Sequence, residues 1–332
     1  MRLDIRYSST FTYSEPVVDN QNELRACPLD DDSQQLLDYR VTISPNARVF
    51  SFVDAWGTRV DAFGLRRSHD HMEVTAEASV QTQLRPQPPA AVRFGRMDDG
   101  FTDAHIEYCE SDRHTVPDRA ITEAARAQRA LAGDDVVSTT MAIHRYVGNH
   151  LSYTPNSTEV GTGASEVLAG GVGVCQDYAH LAVTMCRSVG IPARYVSGYL
   201  FTADDSAGDA PLEGTVVVQT HAWFEAAIPG VGWMALDPTN GQTVGERHVK
   251  IGHGRSYDDV LPLRGTYSGP GASTGTANVT IKRMDAHATA RGRLLGATPL
   301  QTPVGGPAHR GSAISELPAG MAGSAAQAQQ QQ

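Results

Sequence analysis

Short runs of alternating apolar and polar residues fill the first hundred positions, and this period of two predicts β-strands. Three such runs are DYRVTIS, VFSFVDAW and HMEVTAEASVQTQ, which proline, asparagine, glycine and aspartate residues separate. No helical periodicity interrupts them. We therefore expect an N-terminal antiparallel β-sandwich domain over residues 1–95, with a linker at RPQPPA and a domain boundary between residues 85 and 113.

After this boundary the pattern takes the period of helices. PDRAITEAARAQRALAG and DDVVSTTMAIHRYVGNHL predict two helices, with Gly133 as the stop between them. A third helix is predicted to begin at or beside Cys175, because apolar residues recur at helical spacing from Tyr178 to Val189. Gly190 and Pro192 then end it.

Strand patterns return after the third helix, in ARYVSGYLF, TVVVQTHAWFEAAI, GWMALDPT, ERHVKIGH and NVTIKRM. Helices followed by an antiparallel sheet predict an α+β second domain, which we place at residues 113–290. Residues 303–332 consist mostly of glycine, alanine, proline, serine and glutamine. Such a composition cannot bury enough apolar surface to order itself, so we expect a disordered tail there.

Composition and charge exclude several classes of function. The 332 residues include 37 acidic and 27 basic side chains, which gives a net charge of -10. No basic run could follow a phosphate backbone, so we expect no nucleic-acid partner. No window approaches the roughly 18 apolar residues of a membrane span, and the first residues lack the apolar core of a signal peptide. We expect no membrane partner and a cytoplasmic location, and the pattern predicts no particular oligomeric state.

Four cysteines are too few for a disulfide framework in a chain of this length and fit a reducing compartment. Cys175 differs from the others because it follows GGVGV and opens the third predicted helix. The first-turn amides and the dipole of a helix favour an anion, so we expect a nucleophilic thiolate, with the backbone N–H of Cys175 as an oxyanion donor. Cys175 taken alone leaves a buried structural role equally open, and that role is expected for Cys27, Cys109 and Cys186.

His221 and Asp237 supply the second half of a candidate catalytic site. His221 lies within one predicted strand and Asp237 at the end of the next, with Pro229 and Gly230 in the turn between them. A hairpin centred near residue 230 pairs positions that sum to about 460, which brings Asp237 within two places of the residue opposite His221. A carboxylate on one ring nitrogen fixes the tautomer and leaves the other nitrogen to accept the proton of Cys175.

The segments GGVGVCQDYAHLAVTMCRSVGIPARYVSGYL and HAWFEAAIPGVGWMALDPTNG closely resemble the core of the transglutaminase-like superfamily, in its bacterial branch with an N-terminal β domain. The resemblance covers residues 120–265, although Ser256 stands where an acidic residue is more usual in that branch. By position it implies that Cys175 is the nucleophile, His221 the general base and then acid, and Asp237 the residue that orients the histidine. It also implies a papain-like core, in which the cysteine helix packs against the sheet that bears the other two residues.

This resemblance implies a cysteine-dependent enzyme that acts on amide bonds of a peptide or protein through a thioester. We expect hydrolysis, as in a peptidase or amidase. Transfer to an amine, as in a protein-glutamine or other amide acyltransferase, is the first alternative, because both reactions share the acylation step. A non-catalytic peptide-binding module is the alternative from another class. No calcium-binding loop pattern is present, so we expect calcium independence and no cofactor.

Three further residues are candidates for the substrate cleft. Gln176 and Asp177 follow the nucleophile in the first helical turn, and Trp223 shares the strand face of His221. A structural role is open for each of them, as polar groups that cap the helix end or as a core aromatic residue.

Two other histidine positions are weaker candidates. His69 and His71 lie two residues apart, but no cluster of cysteine or acidic residues accompanies them, so we expect surface histidines and no metal site. His180 lies about 140° around the helix from Cys175, so we expect it to point away from the nucleophile and to be satisfied locally. The acidic loop at residues 203–213 is either a flap beside the site or a solvated excursion.

Overall fold

The computed structural model describes residues 1–85, 91–202 and 215–284. The strands are β1 (Arg2–Leu24), β2 (Gln34–Ser44), β3 (Val49–Val53), β4 (Arg59–Leu65), β5 (His69–Thr82), β6 (Ser152–Tyr153), β7 (Val172–Gly173), β8 (Ala193–Leu200), β9 (Thr215–Val218), β10 (His221–Ile228), β11 (Gly232–Asp237), β12 (Gln242–Thr243), β13 (His248–Gly254), β14 (Leu263–Ser268) and β15 (Ser273–Met284). The α-helices are α1 (Asp99–Asp103), α2 (Arg119–Ala132), α3 (Val136–His150), α4 (Ala164–Gly170) and α5 (Cys175–Ser188). The loop at 203–213 and the tail at 303–332 lie outside the described residues.

Strand β1 is the spine of an eight-stranded antiparallel sheet that curves into a half-barrel. Its first half pairs with β5 on one side and β15 on the other, and its second half pairs with β4 and β14. The register against β5 shifts between Thr12 and Val17, and such an irregularity bends a strand. The expected sandwich is therefore one curved sheet, because a single 23-residue strand runs through both of its halves.

Alternation along the first half of β1 buries one face of the strand. Leu3, Ile5 and Phe11 contribute to a single apolar core with residues of β5 and β15. The three alternating runs of the N-terminal region predict β2, β3 and β5 but include neither β1 nor β4. Polar residues such as Asn20 and Asn22 occupy buried positions in its second half, where they break the apolar period.

Strands from the later part of the chain complete this sheet. β15 pairs with β1 over twelve consecutive positions, from Arg2 opposite Met284 to Tyr13 opposite Ser273. β9 pairs in turn with β15. The division into residues 1–95 and 113–290 stays a prediction. Together with the pairing of β14 on β1, however, these pairings join three strands of the second predicted domain to the sheet of the first.

A second, five-stranded antiparallel sheet has the order β12-β11-β10-β8-β13. Helix α5 packs on β10 and β8, with α2, α3 and α4 around it. Every residue of α5 from Gln176 to Cys186 is buried. The α+β fold class is thereby confirmed, with the cysteine helix packed against a sheet as the family resemblance implies.

Capping residues mark the ends of the predicted helices α2 and α3. Asp118 accepts a hydrogen bond from the Ile121 N–H (2.8 Å) at the start of α2, and Asp135 caps α3 in the same way. Gly133 follows α2 with a φ of 74°, a conformation that favours glycine. The run TVVVQTHAWFEAAI was predicted as one strand, but it divides into β9 in the first sheet and β10 in the second. Among the described residues, no helix combines the length and apolar character needed to span a membrane.

Candidate catalytic site

Cys175 is the first residue of α5, directly after the extended residue Val174. The Asp177 carboxylate folds back and accepts a hydrogen bond from the Val174 N–H at 2.7 Å. A Cβ at Gly173 would lie 2.8 Å from the Asp177 side chain, so only glycine leaves room for this cap. The first turn of α5 is thereby fixed, and Cys175, as its first residue, has no intrahelical acceptor for its N–H.

The β10–β11 hairpin has the predicted register. Ile228 lies opposite Gly232 and Phe224 opposite Leu236, so that paired positions sum to 460. Side chains on opposed positions share a face, and His221 Nε2 lies 2.9 Å from Asp237 Oδ2. His221 is also hydrogen-bonded to the side chain of Cys175. The structure therefore brings together the three residues predicted as nucleophile, base and orienting carboxylate, although their catalytic roles stay a prediction.

The pKa values of this pair follow from the contacts. Burial alone would lower the pKa of His221, but the hydrogen bonds to Asp237 and Cys175 and the negative charges of both partners raise it to about 10. Burial opposes ionisation of Asp237 as well, yet the hydrogen bonds from His221, His248 and Asn240 hold its pKa well below the usual range. At neutral pH the site therefore holds an imidazolium beside a carboxylate.

His248 is a second histidine on the Asp237 carboxylate, and the sequence analysis did not find it. Its Nε2 donates to Asp237 Oδ2 at 3.2 Å, while its Nδ1 accepts from the Gly245 N–H at 3.2 Å. Burial lowers the pKa of His248 despite the neighbouring carboxylate, so this ring is neutral with its proton on Nε2. The available signal was a histidine at the start of the ERHVKIGH strand, eleven residues after Asp237.

The backbone around Asp237 is held from α3. His144 Nε2 donates to the Asp237 carbonyl at 3.0 Å. One turn further along the helix, a Cβ at Gly148 would lie 2.9 Å from the Pro238 carbonyl, so glycine permits the close contact. The Asp237 carboxylate also accepts hydrogen bonds from the N–H groups of Thr239 (3.1 Å) and Asn240 (3.2 Å). These contacts come from a distant helix and a local turn, and they leave the carboxylate little freedom.

His221, Asp237 and His248 also place three metal-ligand atoms within 4.8 Å of one another. A divalent ion there would need the carboxylate oxygen and the nitrogens that already share hydrogen bonds. The three residues already form hydrogen bonds with one another without an ion, and His221 is also hydrogen-bonded to Cys175. We therefore assign the group to the hydrogen-bonded site.

The three residues expected in the cleft have different locations. Gln176 lines a cavity with Cys175 and His221, and its Oε1 has no partner among the described residues. Asp177 instead caps α5 and accepts a further hydrogen bond from Thr158 at 2.7 Å. Trp223 is fully buried against Val196 and crosses Gly198, where a Cβ would clash at 2.5 Å. The helix cap and the core packing therefore account for Asp177 and Trp223.

The three other histidines considered in the sequence have different environments. His180 is buried, stacks on His114 and accepts the Tyr257 N–H at Nε2 (3.1 Å), but its Nδ1 has no hydrogen-bond partner among the described residues, so the expected local satisfaction is only partial. His69 is buried rather than on the surface, because a hydrogen bond with Asn20 (3.1 Å) ties its Nε2 to the core at the irregular start of β5. His71 is exposed as expected. Ser256, which stands in place of the usual acidic residue, is buried and caps a short 3-10 helix.

An open cavity of about 530 Å³ reaches Cys175 and His221. Apart from these two, the residues that line it are uncharged: Tyr153, Leu200, Thr202, Val217, Val218, Gln219, Thr220, Thr239 and Asn240. A larger groove of about 730 Å³ lies along α2 and α3 and contains none of the predicted site residues. Cys175 and His221 therefore lie on the cavity of about 530 Å³ and not on the groove along α2 and α3.

Comparison with known proteins places this site in a family. The model of the transglutaminase-like superfamily matches residues 123–238, which include Cys175, His221 and Asp237, and that of the bacterial transglutaminase-like N-terminal region matches residues 3–81. An uncharacterized protein of Mycobacterium leprae is 32% identical over 284 residues, which are 85% of this chain and 99% of that protein. The chain belongs to the transglutaminase-like superfamily.

Other similarities are narrower. A structure from Cytophaga hutchinsonii, described as that of a candidate cysteine protease, covers 91% of this chain and 94% of its own with a TM-score of 0.67. At 24% identity it shows the common fold alone. A protein-glutamine gamma-glutamyltransferase of Pseudomonas aeruginosa is 39% identical over 67 residues, which are 20% of this chain and 10% of that protein.

Proposed function

We propose that this transglutaminase-like protein is a cysteine enzyme that hydrolyses amide bonds of a peptide or protein through a thioester on Cys175. One observation carries the proposal: a cysteine at a helix N-terminus is hydrogen-bonded to His221, whose Nε2 lies 2.9 Å from the buried Asp237 carboxylate. A nucleophile, a base and a group that orients the base are the three parts that such catalysis needs.

Acylation uses each part in turn. In the attacking form of the site His221 holds the proton of the Cys175 thiol, and the sulfur attacks the carbonyl carbon of the amide. The N–H of Cys175 donates to the oxyanion of the tetrahedral intermediate. When this intermediate collapses, the C–N bond breaks and the His221 proton goes to the departing amine, which leaves a thioester.

Deacylation reverses the direction of proton transfer. His221 takes a proton from water, the oxygen adds to the thioester carbonyl, and collapse breaks the C–S bond to release a carboxylic acid. His221 keeps the proton that it took from water, so the starting form of the Cys175–His221 pair is restored. Hydroxyl and amide side chains line part of the cavity, and they could hydrogen-bond to an attacking water.

Transfer to an amine is the second candidate function. The 67-residue similarity to the Pseudomonas glutamyltransferase favours it, because an amine in place of water would resolve the same thioester. No metal or cofactor takes part in either route as proposed, and neither needs calcium.

Incubating the protein with a diverse peptide library in ¹⁸O-water and methylamine distinguishes these functions by mass spectrometry. Hydrolysis places ¹⁸O in new carboxyl groups, and transfer yields methylamides. Both products should disappear in Cys175→Ser. Products that survive in Cys175→Ser would contradict a cysteine enzyme, and peptide binding without any product would identify a binding module.

We further propose a cytoplasmic location and no nucleic-acid or membrane partner. All four cysteines are unpaired, as expected in a reducing compartment. Fractionation of the native host cells tests the location, and recovery of the protein outside the cytoplasm would overturn it.

A further inference from the structure

Strand β9 forms one end of the path β2-β5-β1-β15-β9 through the first sheet. Its four residues pair with β15, from Thr215 opposite Lys282 to Val218 opposite Val279. Among the described residues, no strand pairs with its other edge. An edge strand presents backbone N–H and C=O groups that another extended chain can pair with.

This edge borders the catalytic cavity. Val217 and Val218 line the same cavity as Cys175 and His221, and only Gln219 and Thr220 separate β9 from the catalytic strand β10. A chain laid along β9 therefore runs beside the nucleophile. Residues of the first sheet thus line the same cavity as His221, which belongs to the second sheet.

The sequence of β9 lacks the charged residues and proline that usually protect an edge strand from pairing. Val216 and Val218 pack against the core beneath, Val217 is 70% exposed, and none of the four residues is charged or proline. The strand at the opposite end, β2, exposes Asp38 and Arg40 and has a register shift between Leu36 and Asp38. Charges and bulges of that kind discourage edge pairing, so β2 is protected, whereas within residues 1–85, 91–202 and 215–284 one edge of β9 is unpaired and carries no such protection.

We propose that the substrate of this site is an extended peptide segment that adds to the edge of β9 as a further strand and so brings its amide bond to Cys175. The inference rests on the proposed function and names its substrate class. Backbone pairing supplies affinity for an unfolded segment, and the cavity lining, which is uncharged apart from Cys175 and His221, selects uncharged side chains.

Peptidyl chloromethyl ketones test this on the intact protein, because the Cys175 sulfur bonds to the methylene carbon as chloride leaves. The acetyl-tetra-alanyl reagent should alkylate Cys175 at least about tenfold faster than the acetyl-alanyl reagent. N-methylation at alternate amides should remove about tenfold each, and N-methylation at the intervening amides should have little effect, because an added strand pairs through every second residue.

Two lysine substitutions at opposite edges provide a matched pair. Val217→Lys should reduce the advantage of the tetra-alanyl reagent, because an edge lysine discourages strand addition. Thr42→Lys, at an exposed position of β2, should leave that advantage unchanged. Equal loss in both variants would overturn the assignment to β9.

The two proposals fail in different ways. If iodoacetamide does not select Cys175, the proposed function fails, whatever the peptide reagents do. If iodoacetamide selects Cys175 but peptide length and N-methylation have no effect on alkylation, the nucleophile stands and strand addition to β9 is wrong.

Discussion

Two histidines share the Asp237 carboxylate, and their environments make one of them cationic and leave the other neutral. His221 lies between Asp237 and Cys175, and the two partners raise its pKa to about 10. His248 faces Asp237 on one side and a backbone N–H on the other, and burial keeps it neutral. His221 can therefore exchange protons with a substrate, whereas His248 can only hold the carboxylate in place.

The charge state of His221 can be measured by NMR titration of its imidazole. We expect it to stay protonated past pH 8 and to titrate near pH 10, whereas His180 and His253, whose pKa values burial lowers to about 3, stay neutral throughout. Because the folded pKa lies above the unfolded value of about 6.5, this group's stability contribution is complete below pH 6.5 and is lost as pH rises through about 10. Cys175→Ala should lower the His221 pKa. A titration near 6.5 in the intact protein would contradict the ion pair.

Replacing His248 tests its positioning role. His248→Phe should lower turnover about 10- to 100-fold, because a hydrogen bond to a charged group contributes about 1.5–3 kcal/mol. His248→Gln keeps a donor for Asp237 and should restore most of the activity. The His221 pKa, measured by NMR in each variant, separates positioning from a loss of fold. Equal impairment of the Phe and Gln variants, with an unchanged His221 pKa, would refute the role.

At the scale of elements, the start of α5 depends on the Asp177 cap. Asp177→Ala should cost about 0.5–2 kcal/mol of stability and slow alkylation of Cys175, because the first helical turn frays. Asp135→Ala removes the cap of α3 and is the matched control. It should cost similar stability without slowing alkylation. Equal alkylation rates in both variants, measured by mass spectrometry, would show that the cap does not position the nucleophile.

Local patterns predicted the elements that carry the site. The turn at Pro229 and Gly230 fixes the β10–β11 register within one hairpin, and Gly133 ends α2 through its own backbone conformation. His144 and His248 were missed because they reach Asp237 from α3 and β13, and no local period encodes such packing. The division of β9 from β10 was missed for the same reason, since both have strand periodicity but they join different sheets.

At the scale of the whole molecule, the half-barrel draws strands from both ends of the described chain. β15 and β14 pair with β1, and Val279 and Ile281 of β15 are buried in the core that this pairing closes. A domain boundary between residues 85 and 113 would therefore separate strands that belong to one sheet.

A fragment of residues 113–290 should consequently fail to fold. Without β1, the strands β14 and β15 lose their main partner and expose Val279 and Ile281. Thermal unfolding followed by circular dichroism should show a cooperative transition for the full chain and none for the fragment. A cooperative transition in the fragment would support residues 113–290 as an independent domain.

Cys175 should be much more nucleophilic than the other three cysteines. Burial raises the pKa of Cys27 and Cys186 to about 12 and also raises that of Cys109, so these thiols stay protonated at neutral pH. Limited alkylation with iodoacetamide at pH 7, read cysteine by cysteine with mass spectrometry, tests the claim directly. We expect labelling at Cys175 well before the other three cysteines, and loss of that preference in His221→Ala. Equal labelling of the four cysteines in the intact protein would contradict it.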